Sequence, residues 1–134
     1  MQVFRYNAAR VGCRKLGDSG LMEAAYSGPV CAGAFDVLAP QVMAATGCAN
    51  ALLIRMDGCL TLMTRPLQMP EDAYKESSPD WCVVVRADQL DFWVSYAADM
   101  ALRGVRCVVF LDSQIQLALM WLDRRSSSRA QLVL

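Results

Sequence analysis

The sequence predicts an α/β fold in one domain. We expect a mixed sheet of about four to six strands, opened by an antiparallel N-terminal pair and continued by a parallel βαβ core, with helices mainly on one face. Three observations carry this. Residues 82–85 and 105–111 are two apolar runs rich in β-branched side chains, the pattern of strands buried on both faces. Between them Leu90, Trp93, Val94, Ala97, Ala98 and Ala101 recur at helical spacing. Residues 16–20 (LGDSG) place turn-forming residues between two apolar arms, which suits an antiparallel start.

The central unit is bounded by recognisable end signals. Asp88 suits an N-cap, because its short carboxylate can accept from the unpaired N–H groups of the following turn. Arg103 and Gly104 suit a C-terminus, the cation complementing the helix dipole and the glycine taking a left-handed conformation. A connection this short between two apolar strands favours a right-handed parallel crossover.

The remaining elements follow in order. Val3, Phe4, Tyr6 and Val11 read as a strand or hairpin, and residues 21–26 as the second arm of the antiparallel pair. Residues 27–32 (SGPVCA) read as a loop. Phe35, Leu38, Val42 and Met43 then form a weaker helical stripe that ends at Gly47, with Pro40 predicted either to kink the helix or to start its regular part. Residues 49–56 form the next buried strand and end at Asp57 and Gly58, so helix, glycine, strand and aspartate recur in both halves of the chain. Residues 64–80, with three prolines and much charge, read as a long surface loop. Ser113 is placed to cap a last helix through Ile115, Leu119 and Leu122, and residues 131–134 are placed as a short edge strand.

Composition narrows the function. The 13 basic and 13 acidic residues cancel, which argues against nucleic acid or an anionic surface as partner. Apolar residues make up 55% and charged residues 19%, an excess that points to an unusually large core or to apolar surface covered by another subunit; we expect a homo-oligomer. No apolar run reaches the length of a membrane span and no signal-peptide pattern opens the chain, so a cytoplasmic protein is expected. The six cysteines include no CxxC pair and are expected to be small buried hydrophobes in a reducing compartment.

Histidine is absent, which removes His-based triads and His metal ligands, and no glycine-rich nucleotide motif is present. No cofactor and no metal are expected. The residues that remain for chemistry are Asp57, Asp88 and Asp112, each at the carboxyl end of an expected parallel strand, where open α/β sheets bind ligands. Together they make a candidate phosphate or magnesium site, against the simpler reading of two helix caps and a turn. Cys59 beside Asp57 is a candidate thiol nucleophile without a base nearby in sequence. Phe92, Tyr96 and Met100 form a second apolar stripe on the central helix, which means either deep burial or contact with a partner. We take that stripe as the candidate interaction face.

Residues 21–28 (LMEAAYSG), the strand and aspartate of ALLIRMDG, and RGVRCVVFLDSQIQLALMWL near the end occur in an order that resembles the STAS superfamily, the anti-sigma-factor antagonist fold, in its SpoIIAA-like branch. The resemblance implies a small non-catalytic module that binds a regulatory partner protein or, in related branches, an apolar ligand. In phosphorylated members a serine follows the strand-end aspartate and an Asp-Ser-Ser-Gly type sequence opens the next helix. Here Asp57 matches, Gly58 and Cys59 stand where the serine would be sought, and residues 61–70 lack the second motif. A receiver-like phosphate site and an apolar-ligand carrier are the alternatives.

Overall fold

The computed structural model describes residues 1–17, 20–47, 49–62 and 80–132, with side chains described to residue 125. The turn residues Asp18 and Ser19, Cys48, and all of the expected loop at 64–80 except Asp80 lie outside the described residues. The chain forms β1 (Gln2–Tyr6), β2 (Ala9–Lys15), β3 (Leu21–Cys31), α1 (Ala32–Ala45), β4 (Ala51–Arg55), β5 (Cys59–Leu62), β6 (Asp80–Val85), α2 (Leu90–Leu102), β7 (Cys107–Leu111) and α3 (Ile115–Leu132). A single 3-10 turn precedes each of α2 and α3.

The fold is α/β, with a mixed seven-stranded sheet in the order β1-β2-β3-β4-β6-β7 and β5 paired to β3. β1, β2 and β3 are antiparallel, and every pairing from β3 onward is parallel. The antiparallel start therefore has three strands where two arms were expected. Asn7, with φ of 54°, lies between β1 and β2 and reverses the chain there.

Side chains alternate between two cores. Met22, Ala24, Leu52, Ile54, Val83 and Val85 face α1 and α2 with Phe35, Leu38, Trp93 and Met100. Leu21, Ala51, Leu53, Cys82 and Val84 face α3 through Ala118 and Leu122. Two of the three described helices thus cover one face and the third covers the other. Burial on both faces is what the apolar run at 82–85 encodes; β7, expected to be buried likewise, ends the sheet and all five of its residues are only half-buried.

Four local readings are corrected. Residues 27–31 continue β3 rather than forming a loop, because Gly28, at φ of 76° and tight against the Ala8 carbonyl, lets the strand pass its neighbour there. Helix α1 starts at Ala32 and runs through Pro40, so its regular part does not begin there; Pro40 stands on the exposed side, where its missing hydrogen bond lies toward solvent. Cys31 is exposed rather than buried, and its Sγ accepts from the Ala34 N–H (3.4 Å) as the cap of α1. Residues 131 and 132 belong to α3, not to an edge strand.

The largest correction concerns α2. Its buried positions are Trp93, Tyr96 and Met100, and Val94, Ala98 and Ala101 of the expected core stripe are exposed. The helix is turned so that its large side chains are inside. Trp93 lies 5.8 Å from Phe35 and 5.1 Å from Tyr96, ring centroid to centroid, and Phe35 in turn stacks on Tyr26 at 5.5 Å. Burying aromatic rings of this size outweighs burying alanines, because the hydrophobic contribution scales with the apolar area removed from water.

Candidate functional site

The carboxyl ends of β4 and β6 meet at a bulge. Ala25 stands opposite Arg55, and three positions further along β3, Gly28 stands opposite Cys59. Tyr26 and Ser27 on one side therefore face Met56, Asp57 and Gly58 on the other, one residue in excess. The Cys59 N–H closes the bulge onto the Met56 carbonyl at 3.3 Å. β6 ends at Val85, so no described strand lies beyond β5 to bond its outward backbone groups.

Two side chains take over that role. The Arg86 guanidinium donates from Nη1 to the carbonyls of Asp57 (2.7 Å) and Cys59 (2.9 Å), and from Nε to Asp88 Oδ1 at 3.2 Å. Gln89, buried, donates from Nε2 to the Met56 carbonyl (2.9 Å), the Cys59 carbonyl (3.2 Å) and Thr61 Oγ1 (2.8 Å). Its Oε1 accepts the Arg86 N–H at 2.8 Å and so caps the turn into α2. Asp88 is consequently not the N-cap that its residue type suggests; it lies within the turn and pairs with Arg86.

Each strand-end aspartate has a partner of its own. Asp57 makes a two-pronged pair with Arg55, Nε to Oδ1 at 3.1 Å and Nη2 to Oδ2 at 2.6 Å. These hydrogen bonds hold the Arg55 pKa above its ordinary value against the lowering effect of burial, with smaller attraction from Glu23 and Asp112. Asp88 is largely exposed beside Arg86, and Asp112 is exposed with Oδ1 accepting the Ser113 N–H at 3.0 Å. No group of three or more potential metal-ligating side chains is found among the described residues.

Cys59 is brought to this place but is not activated. Its Sγ donates to the Met56 carbonyl at 3.2 Å, and burial pushes its pKa above the ordinary 9.0 although Thr61 and Arg86 act to lower it. A thiol so held stays protonated near neutral pH.

Phe92, Tyr96 and Met100 do not present an exposed face. Tyr96 is 6% and Met100 0% exposed, both inside the core with Phe35 and Trp93, and Phe92 is half-buried against Trp93. Of the two meanings of that stripe, the structure realises burial.

Other large apolar side chains are exposed, among them Val94 and Leu102 of α2, Leu60 and Leu62 of β5, and a group on the α3 flank. β7 closes one side of the sheet, all five of its residues are partly exposed, and no described strand pairs with its outer edge. Beside it Phe110, Leu117, Met120, Trp121, Arg124 and Arg125 line an open groove of about 600 Å³. Leu117 and Met120 are 53% and 54% exposed, and the Arg125 guanidinium stacks over Trp121 at 5.2 Å. A core-stripe periodicity does not contain this flank; its sequence signal is the pair Leu117 and Met120, three apart on the other side of Ala118 and Leu122.

Among the described residues no helix is long and apolar enough to cross a membrane. Compared with protein-family models, curated proteins and solved structures, the chain matches none.

Proposed function

We propose that this protein is a small non-enzymatic interaction module of regulatory type that works by self-association through the flank formed by α3 and β7. The observation that carries the reading is a contrast in how polar and apolar groups are used. At the strand ends, where a ligand of an α/β sheet binds, Asp57 and Asp88 are paired with arginines, Asp112 accepts a backbone N–H, and the Cys59 thiol is bonded to a carbonyl, which favours neither a nucleophile nor a shared ligand set. On the α3 flank, Leu117 and Met120 instead stand in water beside Phe110 and Trp121. A contiguous apolar patch of this kind marks an association surface.

The reading keeps the regulatory character that the STAS resemblance implies and moves the contact from α2 to α3. It is tested by light scattering on the wild type and on Leu117→Glu with Met120→Glu. Both positions are exposed, so the fold should persist by circular dichroism. A wild-type dimer that the paired substitution converts to a folded monomer is expected; a wild type that stays monomeric at high concentration overturns the reading.

A further inference from the structure

Backbone geometry specifies which way round a second copy can sit. The Trp81 N–H donates to the Arg106 carbonyl at 2.9 Å, and Trp81 stands opposite Cys107 in the parallel pair. Along β7 the backbone groups of Arg106, Val108 and Phe110 therefore point to β6, and those of Cys107, Val109 and Leu111 point out of the sheet. The Leu111 N–H is already taken by Gln114 Oε1 at 3.1 Å, which confirms its outward direction. The outward groups of Cys107 and Val109 and the Leu111 carbonyl form a strand edge with apolar side chains on both faces.

The charges flanking this strand are ordered. Residues 106–112 read RCVVFLD, with Arg106 and Asp112 equally distant from Val109, both exposed and neither in an ion pair among the described residues. An antiparallel copy centred on Val109 brings Arg106 opposite Asp112 at both ends. A parallel copy in register sets like charges side by side.

We infer that two molecules join edge to edge, β7 antiparallel to β7 about a two-fold axis at Val109, with Arg106 of each facing Asp112 of the other. This rests on the self-association proposed above and specifies its geometry. Val109 exchanges both N–H···O bonds with Val109 of the other copy, and the Cys107 N–H donates to the other Leu111 carbonyl. Val108 and Phe110 lie opposite one another on the α3 face, which brings the two α3 grooves to the same side of the joined sheet. On the opposite face α2 packs over β7, and its exposed positions include the small residues Ala98 and Ala101.

Charge reversal tests the arrangement. Arg106→Asp and Asp112→Arg, each alone, should halve the wild-type mass in light scattering, because each places like charges at both ends. Mixed in equal amounts the two variants should recover the dimer mass. At one end the acid introduced at position 106 then meets the base introduced at position 112, and at the other the unchanged Arg106 and Asp112 meet. Single variants that remain dimeric, or a mixture that stays monomeric, overturn the edge pairing while leaving self-association through α3 standing. A monomeric wild type overturns both. Should a variant fail to fold, amide exchange in the wild type decides. Protection of the Val109 and Cys107 amides that rises with protein concentration supports the pairing; exchange as fast as an open edge at every concentration refutes it.

Discussion

The turns that lead into α2 and α3 are built from similar local sequence, RADQL at 86–90 and LDSQI at 111–115, and differ in what the glutamine reaches. In both, the glutamine oxygen accepts the N–H three residues earlier, from Arg86 or Leu111, and closes a 3-10 turn. Gln114 stops there and is exposed. Gln89 is buried, and its amide nitrogen goes on to hold the bulge through Met56, Cys59 and Thr61. A local device that caps one helix also fastens a neighbouring strand, wherever that strand has run past the end of its partner.

The largest expected effect compares the strands that feed the two turns. Burial pushes Cys82 in central β6 and Cys107 in edge β7 up to about 12 from the ordinary 9.0. A folded pKa above the unfolded value gives stability that is full below pH 9.0 and drains toward about 12, because the unfolded thiol ionises first. Urea unfolding as a function of pH should therefore steepen in that window. Cys82→Ala and Cys107→Ala should each flatten the slope to a similar degree, and a Cys107→Ala that leaves it unchanged would mean that the edge is open to water where the centre is closed.

Next in size, Gln89→Ala leaves the Met56 and Cys59 carbonyls with fewer donors in a buried place and should cost about 2–3 kcal/mol in urea unfolding. It should also expose Cys59 to thiol reagents at neutral pH; a Cys59 that stays silent would show that Arg86 alone holds the bulge. Asp57→Ala removes the two-pronged partner of Arg55, and because the guanidinium is about a third exposed, roughly 1 kcal/mol is expected. Gln114→Ala removes a single exposed cap, and a loss of about 0.5 kcal/mol is expected from the same measurement. If Gln114→Ala cost as much as Gln89→Ala, the contrast between the turns would collapse.

The legible part of the molecule is the part governed by local pattern. Apolar runs without polar partners located β4, β6 and β7, and the Gly104 end of α2 stands at the predicted place with φ of 84°. Positions settled by tertiary competition were read less well. Val94, Ala98 and Ala101 fit a helical stripe as well as Trp93, Tyr96 and Met100 do, and spacing alone does not weigh ring size against methyl groups. Asp88 has the residue type of a cap, but it lies inside the turn that Gln89 closes by accepting the Arg86 N–H, while the Gln89 amide nitrogen bonds a strand that lies distant in sequence. The aspartates were correctly placed at strand ends; that Arg55 would take Asp57 was hidden, since nothing in a strand pattern shows which cation lies beside a bulge.

The bulge also bears on how this chain can tolerate change in length. Met56 before it and Cys59 after it face the same core, so the odd residue leaves the in-and-out alternation of the strand unchanged. Removing Gly58 would shorten the chain and still keep every later side chain of β5 on its present side. The position behaves as a neutral insertion in the sheet, whereas a residue gained or lost within 51–55 would turn the rest of that strand inside out.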